Sequence, residues 1–292
     1  MEEKKKSTIG FLPGSILLAS VIIGGAILLR DTTSVPAKGQ QEMSEVVATL
    51  PETKYVETLK LPLGDIGAKL VSVGALDREL FLQLYSGTER EEARRIIETN
   101  GPVTLSQKNS GILLNLLWGL GLAQKSDVLE KGKMSDPRFG GPDRFASTAG
   151  WTIAEGDPMN HYSHHLFMSL SPEVEGLVAR VASAVYRPCC DNATDLPDCN
   201  HGMAMLGMLE LLASTGASEE ELYRAALVAN RLWFPEQYGM IDRYMSERGG
   251  EQADAKNLVS QTLISASGFA RVASEVRTPS KRQEGSGGGC SV

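Results

Sequence analysis

A run of 21 residues without a charge, Ile9 to Leu29, constrains this chain more than any other feature. A bilayer core takes about 20 apolar residues as helix. Pro13, Gly14, Gly24 and Gly25 are tolerable in a helix of that kind. Lys4, Lys5 and Lys6 precede the run and Arg30 closes it. The positive-inside rule then predicts a single-pass anchor with a cytoplasmic N-terminus and an extracytoplasmic main domain. The partner it implies is the lipid bilayer, through residues 9–29. The competing reading is a cleaved signal peptide, because Val35-Pro36-Ala37 faintly resembles a cleavage site. The run is longer than the roughly 7–15 residues of a signal peptide's apolar region, which favours the anchor. Both readings export the rest of the chain.

Beyond the run, the composition is that of a folded protein. Over 292 residues, 42% are hydrophobic and 22% charged, which excludes a disordered chain and a protein with many membrane spans. The net charge is −7 and the only dense basic tract is Lys4–Lys6, so no nucleic-acid partner is expected. Aromatic residues are too few, at 6%, for a single-strand stacking platform. Residues 1–30 form the cytoplasmic tip and anchor, and 31–60 read as a polar stalk. Residues 61–278 read as a globular domain, and 279–292 as a flexible tail carrying Cys290.

The fold class expected for 61–278 is all-α, with one long irregular region from Lys133 to Ser169. Helix punctuation is frequent. Thr88-x-x-Glu91 and Ser218-x-x-Glu221 have the spacing of capping boxes. Ser171-Pro172-Glu173 offers an N-cap, then proline at the first helical position, then an acid in the first turn. That helix is expected to run to about Tyr186. Ser110–Ala123 is too apolar for a surface helix and should be buried. A last helix is expected from about Asp254 to Val276. The Lys133–Ser169 stretch is rich in turn formers such as Asp136-Pro137 and Gly140-Gly141-Pro142. It also holds Phe139, Phe145, Trp151 and Tyr162, which argue for packing rather than disorder.

The chemistry-bearing residues are unevenly placed. All four histidines lie between positions 161 and 201, and three of the four cysteines between 189 and 199. The first group is His161, His164 and His165, which share a face if the segment is helical. The second is Cys189, Cys190, Cys199 and His201. Thiolate and imidazole are preferred ligands of zinc, and thiolate suits Cu(I). All seven residues are therefore candidate metal ligands, with zinc or copper as the possible cofactor. Against this, adjacent Cys189 and Cys190 do not have the knuckle spacing of ordinary zinc sites. An exported segment also favours a disulfide, pairing Cys199 with Cys189 or Cys190. A third reading is thiol redox chemistry at Cys199, placed at a helix N-terminus by Asp198 or Asn200 as N-cap. Met203, Met205 and Met208 are expected as core residues of an apolar helix rather than as ligands. Glu210 is the lone charge on that helix, a candidate partner of Arg187 or Arg231.

Two functions remain from different classes. One is a membrane-anchored extracytoplasmic metal-binding protein, for metal handling or metal-assisted chemistry. The other is a non-catalytic, disulfide-braced helical binding or scaffold module whose protein partner the residues do not name.

Overall fold

The computed structural model describes residues 58–248 and 253–277. The expected anchor at 9–29, most of the stalk and the tail with Cys290 lie outside the described residues. Among the described residues, no helix is long and apolar enough to cross a membrane.

The architecture is helical with one small ribbon. Strand β1 (Leu59–Leu61) pairs antiparallel with β2 (Val103–Leu105), with Lys60 opposite Thr104. Leu59 and Lys60, expected in the stalk, belong to this ribbon. Helices α1 (Ile66–Ser72), α2 (Arg78–Gln83) and α3 (Gly87–Glu98) lie between the strands. The Thr88-x-x-Glu91 box is not formed. Ser86 is the N-cap, without a side-chain bond, and Thr88 lies inside the helix.

The centre is a pair of apolar helices, α4 (Ser110–Ala123) and α8 (Asn200–Ser214). Between them come α5 (Asp127–Glu130), a series of 3₁₀ turns, α6 (Ala146–Ala149) and α7 (Pro172–Ala182). Helix α4 spans the expected residues, and most of its side chains are buried. Glycines let α4 and α8 approach closely. A Cβ on Gly207 would lie 2.6 Å from Gly121 N and from Leu117 O. Met203, Met205 and Met208 fill the surrounding core. They are packing residues, because methionine adapts its shape to irregular gaps.

The Lys133–Ser169 region is folded onto this core. The Trp151 indole N–H donates to Ala75 O at 2.8 Å, and that of Trp118 donates to Ser147 O at 2.6 Å. Helix α7 starts as expected, with Ser171 capping Val174 N, but ends at Ala182 rather than near Tyr186.

Helix α9 (Glu219–Trp233) opens with the expected capping box, in which Ser218 and Glu221 bond reciprocally. Pro235 does not merely stop it. It takes the first position of α10 (Pro235–Glu247), where its missing N–H costs nothing. The single last helix is three: α11 (Ala255–Leu258), α12 (Gln261–Ile264) and α13 (Ala266–Arg277). Ser260 and Ser265, both extended, interrupt it. Helices α10 to α13 bury a second apolar cluster around Tyr238, Ile241 and Val272.

Candidate metal centre

The segment from Tyr186 to Cys199 links α7 to α8 and is held by both apolar clusters. Tyr186 N donates to Val259 O at 2.8 Å, and Asn230 Nδ2 donates to Tyr186 O at 2.9 Å. Ala266 N donates to Cys190 O at 3.0 Å. Asp191 accepts from both the backbone N–H and the hydroxyl of Ser267. Thr194 is fully buried and donates to Val185 O at 3.0 Å. The Asn192-Ala193-Thr194 sequence is thus part of the packed loop.

This bracing brings three sulfurs together. The Sγ atoms of Cys189, Cys190 and Cys199 lie within 4.8 Å of one another. Cys189 Sγ is 3.5 Å from Cys199 Sγ and 4.0 Å from Cys190 Sγ. Four ligands about a zinc at Zn–S of about 2.3 Å would separate the sulfurs by about 3.8 Å. The adjacency of Cys189 and Cys190 is therefore no obstacle, since a turn at Pro188-Cys189 puts both sulfurs on one side. All three cysteines are free thiols. The expected disulfide from Cys199 to Cys189 or Cys190 is not formed.

Beneath the sulfurs lies Arg187, only 1% exposed. Its Nε donates to Cys199 Sγ at 3.1 Å, its Nη2 to Asp198 Oδ1 at 2.6 Å, and its Nη1 to Asn192 O at 3.0 Å. Asn192 Nδ2 completes the ring by donating to Asp198 Oδ2 at 2.8 Å. Gly202 makes room for the guanidinium, because a Cβ there would collide with it.

Cys199 is itself the N-cap of α8, a role expected of Asp198 or Asn200. Hydrogen bonds from Cys189 and Cys190, with the Arg187 charge behind them, hold the Cys199 thiol well below its usual range. The same bonds, from Cys190 first and Cys199 next, push Cys189 upward, and burial adds to the effect. Cys190 rises to about 11; its bond with Cys189 lowers it, but its bond with Cys199 and burial outweigh that. The Cys189 thiol lies between the other two sulfurs, while the Cys190 thiol faces Asn192 O and Asp198 Oδ1.

The histidines do not join this cluster. His201 packs against Phe234 and, edge-on, against Trp233, with ring centroids 4.6 and 5.9 Å away. Burial lowers its pKa, so the neutral ring is favoured. It is a packing residue at the start of α8.

His161 and His164 sit in the turn that follows a 3₁₀ turn, and His165 in an isolated bridge beside Gln124; none is on a helix. His161 Nδ1 is 3.1 Å from His165 Nε2, and His161 Nε2 is 3.2 Å from Glu155 O. Glu155 O can only accept, so in that contact His161 Nε2 is the donor. Burial first, then the neighbouring His161 and His164, lowers the pKa of His165. The Asp157 carboxylate caps Met159 N at 2.9 Å.

Glu210 pairs with neither expected arginine. Arg187 faces Asp198, and Arg231 forms a two-pronged bridge to Asp242. Both Glu210 carboxyl oxygens are buried without a hydrogen-bond partner.

Sequence reasoning missed Arg187 and Asp198 as parts of the site. The available signal was an arginine placed directly before Pro188-Cys189-Cys190, with an acid directly before Cys199.

In comparison with known proteins, no family model matches the chain, no curated protein matches its sequence, and no solved structure matches its fold.

Proposed function

We propose that this chain is a membrane-anchored, extracytoplasmic metal-binding protein whose ligands are Cys189, Cys190 and Cys199. The observation that carries the reading is the approach of three sulfurs to within 4.8 Å of one another. Sulfur donors alone favour zinc or copper(I) over calcium or magnesium. A cluster of thiolates concentrates negative charge, and the Arg187 guanidinium beneath it offsets part of that charge. N–H donation from Arg187 to Cys199 also orients this ligand, as outer hydrogen bonds commonly do at metal sites. Three protein donors leave the fourth position of a tetrahedral ion open to water or to an incoming ligand. An open position suits metal capture and delivery better than a purely structural site.

The anchor and the location rest on Ile9–Leu29 and the lysines before it. Extraction with alkaline carbonate tests the anchor, and protease protection of intact and permeabilised cells tests the side. Release of the chain by carbonate counts against an anchor.

The metal reading is tested on the full chain, purified in detergent without a histidine tag. Near one zinc or copper per chain, with three thiols protected from a thiol reagent until a chelator is added, supports it. No metal with all thiols reactive overturns it. The scaffold reading depended on a disulfide brace, and the three free thiols of this loop do not favour it.

A further inference from the structure

The three cysteines are not equivalent, and the difference bears on redox chemistry. Cys189 is exposed, and its Sγ lies 3.5 Å from Cys199 Sγ. Cys199 is fixed at the head of α8 with the Arg187 Nε on its sulfur. Cys190 is tied down differently. Its carbonyl accepts from Ala266 N, and its sulfur faces Asn192 O and Asp198 Oδ1 at 3.8 and 3.7 Å. A bond between neighbouring Cys189 and Cys190 would close a small strained ring through their shared peptide. A bond between Cys189 and Cys199 would close a loop that already turns back on itself, so the sulfurs need only a short approach.

We infer that Cys199 and Cys189 form a peroxide-driven disulfide switch that empties the metal site. Release of the ion rests on the metal reading above, whereas formation of the bond does not. In the first step the Cys199 sulfur attacks one oxygen of hydrogen peroxide. The O–O bond breaks and hydroxide leaves, taking a proton from solvent to become water. Cys199 is then a sulfenic acid. In the second step Cys189 Sγ attacks Cys199 Sγ and the S–O bond breaks. The hydroxide leaves as water with the Cys189 proton. Two thiols are oxidised to one disulfide, and one peroxide is reduced to two waters. Arg187 keeps its position throughout, because its bonds to Asp198, Asn192 O and Leu196 O do not involve sulfur. The disulfide removes two of three thiolate donors, and Cys190 alone does not retain the ion.

The test uses the full chain in detergent, first metal-free and then zinc-loaded, titrated with hydrogen peroxide. Peptide mass mapping of the metal-free sample should find Cys189 linked to Cys199 and Cys190 unmodified. In the loaded sample a zinc indicator should register one ion per disulfide formed. Cys190→Ser should still form the bond, and Cys189→Ser should stop at a Cys199 sulfenic acid trapped by dimedone. A Cys189–Cys190 or Cys190–Cys199 link, or over-oxidation without any disulfide, overturns the switch whatever the metal result. A Cys189–Cys199 link in a chain that binds neither zinc nor copper(I) instead overturns the metal reading, and ion release with it.

Discussion

Arg187 Nε donates to Cys199 Sγ at 3.1 Å from a position with almost no solvent exposure. The same guanidinium meets Asp198 at 2.6 Å and two loop carbonyls. A buried arginine is costly to desolvate unless each donor has a partner, and here one residue gathers the whole loop around itself. Arg187→Met should therefore remove more than a charge. It removes the charge partner of Asp198 and one donor each from Asn192 O and Leu196 O. Removing one partner of such a pair typically costs about 3–5 kcal/mol, so the urea midpoint should drop accordingly. Arg187→Lys should restore little, because an ammonium cannot reproduce the planar fork that reaches sulfur, carboxylate and carbonyl together. Stability unchanged in Arg187→Met would show that the loop is held from elsewhere.

The three sulfurs and the four histidines separate in the structure, and metal content should separate in the same way. Cys189→Ser, Cys190→Ser and Cys199→Ser should each lower bound zinc or copper at least tenfold under chelator competition. His161→Gln, His164→Gln, His165→Gln and His201→Phe should leave it unchanged. Elemental analysis of the seven variants reads the outcome. Loss of metal in a histidine variant with an intact fold would reassign the ligands.

Glycines on α4 and α8 act through close approach rather than through flexibility. A Cβ on Gly207 meets backbone atoms at 2.6 Å, and backbone cannot swing away as a side-chain end can. Gly207→Ala gains about 1 kcal/mol in helix propensity but forces the two central helices apart, at about 1–3 kcal/mol or more. The net effect should be destabilising. Gly176 on α7 is the control, since its nearest neighbour would be the far end of Arg180 at 3.7 Å. Gly176→Ala should be stabilising by up to about 1 kcal/mol. Chemical denaturation of both variants decides the matter.

How much of this was legible beforehand follows from the range of the signals. The α4 and α8 helices were readable because a run of apolar residues has only one place to go. The Ser218–Glu221 and Ser171–Val174 caps were readable because their chemistry spans three residues. Thr88–Glu91 has the same spacing and failed, because Ser86 lies just before it and starts the helix earlier. The cysteine group was visible as a concentration of residue types. Its exclusion of His201 was not, because that depends on Phe234 and Trp233 arriving from α9 and the turn after it. Arg187 was hidden for the same reason, since its partners become neighbours only when the loop closes. The shared helix face assumed for the histidine triplet was not there. With Pro158 opening a 3₁₀ turn, His161 and His165 face each other from a turn, with ring nitrogens 3.1 Å apart.

Glu210 offers a test of the core that does not involve the cysteines. It is fully buried on α8, and burial raises its pKa well above 4.5. The folded state therefore keeps the carboxyl protonated at pH values where the unfolded chain has lost the proton. Stability that the neutral carboxyl permits is fully present below about pH 4.5 and declines as pH rises toward the folded-state pKa. The expected slope is about 1.4 kcal/mol per pH unit over that window. Glu210→Gln keeps the shape and removes the titration. Wild-type stability minus that of Glu210→Gln should fall steadily from acidic to neutral pH. Glu175 is also raised by burial and its charge adds to the upward shift of Glu210, so Glu175→Gln is measured alongside as the control. Urea unfolding of the two proteins across this range reads the slope directly. A flat difference would mean that Glu210 is ionised in the fold, with a water or a cation supplying the partner its oxygens lack.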